Sequence, residues 1–175
     1  EGMTVVVGGR ATMHPQFGFN FTIQSIAPSG QGSIKKAFDL LKAKLTAEGL
    51  FEEARKRSVP YPPNNIALVT SLESAAYADF IKVLSHRWPF ANLAVYDSLV
   101  QGDQAPAQLV NAISDANSNE VLADVLVITR GGGSADDLSA FNDERVVRAV
   151  ASSRIPTVVA IGHEVDESLA ELASD

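Results

Sequence analysis

The sequence predicts an α/β domain: a parallel sheet of about four βα units with helices on both faces. Three observations carry this expectation. Short, nearly continuous apolar runs recur at residues 66–70, 93–96, 125–129 and 157–161, as in strands buried on both sides. Each is followed by apolar residues at helical spacing, through Ala76, Phe80 and Val83, then Leu109, Ile113 and Ala116, then Val146, Val147 and Val150, then Val165, Leu169 and Leu172. The third run also empties directly into a glycine turn, Arg130 to Ser134. Right-handed crossovers would distribute the helices over both faces, and ligands of such sheets bind beyond the carboxyl ends of the strands. Ser71, Arg130 to Ser134 and His163 all fall there.

Ahead of this domain the pattern changes. Met3, Val5 and Val7 alternate with Thr4 and Val6, and Phe17, Phe19, Phe21 and Ile23 alternate with Gly18, Asn20, Thr22 and Gln24. A period of two makes these the strands of a hairpin with its phenylalanines on one face. That face reads as the core side of a larger β domain, with stacking of unpaired bases as the alternative. Residues 29–33, SGQGS, form a linker, and Ser33 is placed to cap a helix carrying Ile34, Phe38, Leu41 and Leu45, which Gly49 ends. Arg55, Lys56 and Arg57 are the only dense basic cluster, a solvated run by default and a nucleic-acid contact otherwise. The prolines of residues 61–65, YPPNN, bar a helix and mark entry to the main domain. Three segments result: 1–28, 29–63 and 64–175.

Composition narrows the function classes. No apolar run approaches the roughly 20 residues that span a bilayer, and no signal-peptide layout opens the sequence. With no cysteine there is no disulfide framework and no thiolate metal site, and a cytoplasmic location is expected. A formal charge of −7 argues against a broad basic face for nucleic acid, so phosphate recognition has to be local. The sequence opens EGMTVVVGG and stops just after an unfinished helical pattern, and reads as a piece of a longer protein.

The local candidate is clear. Gly131, Gly132 and Gly133 can adopt angles closed to other residues and aim successive N–H groups at one anion. Arg130 opens the turn with a forked, permanently charged donor, and Ser134 and Asp136 can cap a following helix. Some thirty residues on, PTVVAIG ends in GHEVD, delivering Gly162, His163, Glu164 and Asp166 at the next strand end. An anion cradle and an acid/base cluster are thus expected side by side.

The stretches TRGGGSADDLSAFNDERVVRAV and IPTVVAIGHEVDESLAELASD resemble the catalytic core of the exonuclease VII large-subunit family. IALVTS, SAAYADFIKVLSHRWP and VYDSLVQGDQAPAQLVNAISDAN resemble its first two βα units, LKAKLTAEGLFEEARKRSVPYPP its linker, and the opening hairpin the end of its OB-fold domain. The resemblance implies a nuclease that degrades single-stranded DNA from both ends to oligonucleotides, assembled from a large subunit and several copies of a small one. It also implies functional roles for Asp79, Arg130, His163 and Asp166. Two positions depart from the family pattern: Ser74 replaces a glycine in the turn after the first strand, and Ser139 replaces a tryptophan. The family's long C-terminal helical region, thought to carry the small subunits, has no counterpart here.

Phosphodiester hydrolysis needs charge neutralised on phosphate oxygens, a water aligned and deprotonated, and a leaving oxygen protonated. Arg130 with the amides of Gly131, Gly132, Gly133 and Ser134 suits the first task, and His163 the proton transfers. Asp166 is placed to orient the imidazole or to hold a metal. From spacing alone Asp79 is a flank residue of its helix; the resemblance makes it functional. Ser71, Asp137, Asn142, Gly162 and Glu164 are expected to support the loops. No metal site and no obligatory cofactor are expected, a divalent ion on Asp79 and Asp166 being the alternative. Competing readings are a nucleotide or sugar-phosphate kinase, against which the missing GKS or GKT counts, and a noncatalytic scaffold for DNA or partner subunits.

Overall fold

The computed structural model describes residues 5–14, 18–28, 31–119, 123–131, 135–161 and 168–175. The chain packs as two compact units, Glu1–Leu41 and Lys42–Asp175.

In the first unit β1 (Val5–His14) pairs antiparallel with β2 (Gly18–Pro28), with a register shift between Gly8 and Gly9. Both strands run longer than the alternation indicated. Gly9 is required by a close approach: a Cβ there would stand 2.3 Å from the Thr22 carbonyl and 2.8 Å from the Phe21 ring. Met13 pairs with Phe19 and Ala11 with Phe21, so the apolar side chains do share a face. Among the described residues nothing covers that face. Phe19 is 68% exposed and Ile23 54%, because two strands supply no second layer to cover them. Phe17 and Met3 lie outside the described residues.

α1 (Gln31–Ala47) starts before Ser33, which sits inside the helix rather than capping it. Its end is as expected. Gly49 takes the left-handed conformation, φ 77°, and the Leu50 N–H reaches back to the Leu45 carbonyl at 3.1 Å.

The second unit is a sheet of four parallel strands: β3 (Asn65–Thr70), β4 (Asn92–Asp97), β5 (Val125–Thr129) and β6 (Thr157–Ala160), in the order β4-β3-β5-β6. α2 (Ala75–Arg87), α3 (Ala105–Ser118) and α4 (Glu144–Ala151) connect them, and α5 (Leu169–Ala173) follows β6. Ala67, Val69, Leu126 and Ile128 on one face pack with Leu109 and Ile113 of α3 and Val146 and Val150 of α4. Ile66 and Leu68 point the other way and are buried too. α2 returns in the opposite lateral direction to α3 and α4, so a right-handed connection places it on that second face. Its half-buried stripe is Tyr77, Phe80, Ile81, Leu84 and Trp88; Val83 lies off it and is 58% exposed. After β5 a 3-10 stretch, Ala135–Asn142, drops Leu138 and Phe141 into the core, which anchors the far end of the glycine turn.

The basic cluster binds back onto the fold chiefly through Arg57. Arg55 donates to the Ala151 carbonyl, Lys56 pairs with Glu53, and Arg57 makes a forked pair with Asp175 while also donating to the carbonyls of Ser153, Arg154 and Ile155. Asp175 further accepts from the Thr157 amide and hydroxyl, so this clasp closes the amino edge of β6. Burial opposes ionisation of Asp175, but the Arg57 guanidinium, the Thr157 and Arg57 amides and the Thr157 hydroxyl outweigh it and hold the carboxyl far below the usual range. A depressed carboxylate contributes its stability above the unfolded pKa of about 3.9 and loses it as pH falls towards the folded value. Asp175→Asn should therefore cost about 1–3 kcal/mol at pH 7, towards the lower end because the Arg57 side chain is 38% exposed. Its melting temperature should converge on the wild-type value as pH is lowered below about 4. An equal gap at pH 7 and pH 2.5 in thermal melts would show that the clasp carries no such linkage.

Candidate active site

Parallel registry decides which residues meet at the carboxyl edge. Val69 pairs with Ile128, and Ile128 with Val159, so the residues following β3, β5 and β6 emerge in one row: Ser71, Arg130 and Ile161. Arg130 is only 8% exposed, and its Nε–H donates to the Ile161 carbonyl at 3.0 Å. Thr129 Oγ1 donates to the Ala160 carbonyl at 2.9 Å, a second tie between the same strand ends. The glycine turn and the GHEVD segment therefore spring from adjoining, cross-bonded points. Gly132, Gly133, Ser134, Gly162, His163, Glu164 and Asp166 themselves lie outside the described residues, as do the side chains of Asp136 and Asp137.

On the other flank the turn meets α2. A Cβ on Gly131 would touch the Ala76 amide nitrogen at 3.7 Å, which puts the start of the glycine turn against the first turn of that helix. Ser74 caps α2: its Oγ accepts from the Tyr77 N–H at 3.1 Å and donates to the Ser71 carbonyl at 2.6 Å. Its backbone is extended, φ −81° and ψ 148°, so nothing at this position demands a glycine, and the departure at Ser74 supplies a cap instead. Asp97, ending β4, accepts from the Leu72 N–H at 3.1 Å and fixes the same turn. Ser139 is exposed between buried Leu138 and Ala140, so this second departure leaves no gap in the core.

Two further expected residues are described. Asn142 is half-buried, and its Oδ1 accepts from the Leu169 N–H at 2.9 Å, joining the end of the 3-10 stretch to the start of α5. Asp79 stands exposed on the second turn of α2 and makes no hydrogen bond or ion pair among the described residues. Among those residues no three His, Asp or Glu side chains gather as metal ligands. Sequence reading missed Glu171, which with Ser168 forms a capping box at α5 and also binds the Ile161 amide. The signal was present as Ser168-Leu169-Ala170-Glu171, a S-x-x-E box.

A parallel sheet with a buried arginine at its carboxyl edge, and Gly131 set against a capped helix start, defines an open α/β domain, the class whose ligands bind beyond the carboxyl ends of the strands. The family described as exonuclease VII, large subunit, matches residues 50–175. The exodeoxyribonuclease 7 large subunit of Klebsiella pneumoniae (strain 342) is 42% identical over 176 residues, covering 100% of this chain and 38% of that protein. That of Stenotrophomonas maltophilia (strain R551-3) is 43% identical, covering 100% and 40%, and that of Hamiltonella defensa 42% identical, covering 100% and 39%. The chain belongs to the exonuclease VII large-subunit family. It spans about two fifths of the length of these relatives. No described helix is long and apolar enough to cross a membrane.

If the turn is an anion cradle, inorganic phosphate should perturb the amide resonances of Gly131 to Ser134 in a titration. Arg130→Ala should weaken that binding by about tenfold, the loss of one charge-assisted contact. Binding of equal strength in both proteins would mean that the cradle works without the arginine.

Proposed function

We propose that this chain provides the catalytic core of an exonuclease VII-type large subunit, which hydrolyses phosphodiester bonds of single-stranded DNA from both ends to oligonucleotides. The observation that carries the reading is the Arg130 Nε bond to the Ile161 carbonyl. It joins the residue before the glycine sequence to the residue before the sequence bearing Gly162, His163 and Asp166, which supports reading the two as one site. Membership of the family supports the substrate class.

In this mechanism the Arg130 Nη groups and the turn amides neutralise the phosphate oxygens. Water attacks phosphorus, the P–O bond to the departing nucleotide breaks, and one water proton ends on the leaving oxygen. His163 relays that proton, Asp166 holds the imidazole in the working tautomer, and Asp79 aligns the water. Gly162 and Glu164 shape the segment, while Ser71, Asp137 and Asn142 support its neighbours. The reaction needs no obligatory cofactor in this scheme; a divalent ion on Asp79 and Asp166 is the competing form of the same chemistry. Several copies of the family's small subunit are the proposed protein partners, and the cytoplasm the proposed location, which suits a chain without cysteine.

Nuclease assays on the full-length large subunit assembled with its small subunit test the proposal. Arg130→Ala should lower turnover by about 10² or more and weaken DNA binding, whereas His163→Ala should lower it by roughly 10² to 10⁴ with affinity unchanged. Asp79→Asn separates the two forms of the chemistry: excess magnesium restores part of the rate only if Asp79 holds a metal. Near-normal turnover of a folded His163→Ala protein would remove the acid/base assignment.

A further inference from the structure

Ile161 and Ser168 flank residues 162–167 in the sequence, and a single carboxylate binds both flanking residues. Glu171 Oε1 accepts from the Ile161 N–H at 3.4 Å, and Oε2 from the Ser168 N–H at 2.8 Å. The Ser168 hydroxyl donates to the same Oε2 at 3.0 Å and accepts from the Glu171 N–H at 3.2 Å. On its other side Ile161 offers its carbonyl to Arg130. One residue is thus gripped at N–H by Glu171 and at C=O by the arginine that heads the glycine turn.

Helix capping alone does not account for this arrangement. A capping box needs its glutamate only for the N-cap amide. Here the second oxygen turns instead to a backbone group ten positions upstream, across the segment. α5 is five residues long, too short to stand on its own hydrogen bonds, so the box stabilises the junction more than the helix. Ser168 and Leu169 are both buried, and Asn142 holds the Leu169 amide from the far end of the 3-10 stretch. The junction is therefore held from the 3-10 stretch and from α5 at once.

We propose that Glu171 is a positioning residue for hydrolysis: it fixes Ile161 and Ser168, which flank the sequence that carries His163 and Asp166, relative to each other and, through Ile161, relative to Arg130. The inference rests on the nuclease reading above. Displacing a reacting group by about 1 Å costs on the order of 10² in rate, so a spacer at the root of a short catalytic segment acts on turnover before it acts on binding.

Glu171→Gln keeps the shape but turns one carboxylate oxygen into an amide donor, which can no longer accept from both ends. In the full-length large subunit assembled with its small subunit, turnover on single-stranded DNA should fall about 10- to 100-fold, with the Kd for DNA unchanged within about twofold. Hydrogen exchange, read by mass spectrometry, should rise in peptides spanning 161–168. Ser168→Ala removes the hydroxyl but leaves both amide bonds to Glu171, and should lower the melting temperature while keeping turnover within about threefold of wild type. Wild-type turnover in Glu171→Gln would overturn the proposal. So would parallel losses of turnover and binding in both variants that follow their melting temperatures, the mark of a purely structural cap. If the wild-type assembly cleaves no DNA while exchange still rises in Glu171→Gln, the nuclease reading fails, and the hydrolytic role of Glu171 with it; the bridge itself would stand.

Discussion

The hydrogen bond from Arg130 Nε to the Ile161 carbonyl joins the ends of β5 and β6 at the carboxyl edge of the sheet, where the candidate site lies. Arginine is costly to bury without partners, and parallel pairing supplies one of them: β5 and β6 end in register, so the carbonyl leaving β6 lies where the side chain leaving β5 can reach it. Binding through Nε has a geometric consequence. It sets the direction of the Nε–H edge of the guanidinium while leaving the charge on the planar group. A lysine could carry the charge but has no second edge to anchor.

The two edges of the sheet are built differently. At the amino edge the polar groups answer one another within the fold: Asp124 accepts from the amides of Asn64 and Asn65, and Asp175 gathers Arg57 and Thr157. At the carboxyl edge they hold turns in place, Ser74 and Asp97 below β3 and β4, Asn142 and Glu171 around β6. The first pattern suits stability and the second suits a rigid frame for functional loops. Lys44, Glu144, Arg148 and Glu48 form a further ionic chain that ties the last turns of α1 to α4, mostly in solvent and so worth little energetically.

Much of the α/β fold was legible because buried parallel strands and amphipathic helices leave different periods in sequence. The runs beginning at Ile66, Leu93, Val125 and Thr157 all became strands. Gly49 was readable because a helix that ends in a left-handed residue favours glycine. What was not legible depended on contacts distant in sequence. Arg57 looked like part of a solvated run, yet its partner lies 118 positions away. Val83 fitted a helical pattern but fell off the stripe set by Phe80, Ile81 and Leu84, which only the sheet could select. The phenylalanines of β2 share a face as their period required, but period cannot say whether a second layer covers it. At the site, the strand ends were evident from sequence, whereas the Arg130–Ile161 and Glu171 bonds that join them depend on registry.

One structure tests the central claim, that the glycine turn and the GHEVD segment share a single phosphate: the full-length large subunit crystallised with a cleavage-resistant phosphorothioate single strand. One backbone phosphate should be hydrogen-bonded to the Arg130 Nη groups and to the amides of the glycine turn, with the His163 imidazole in hydrogen-bond reach of the same group. A strand seated elsewhere, or Arg130 and His163 directed to opposite sides of the sheet, would contradict it.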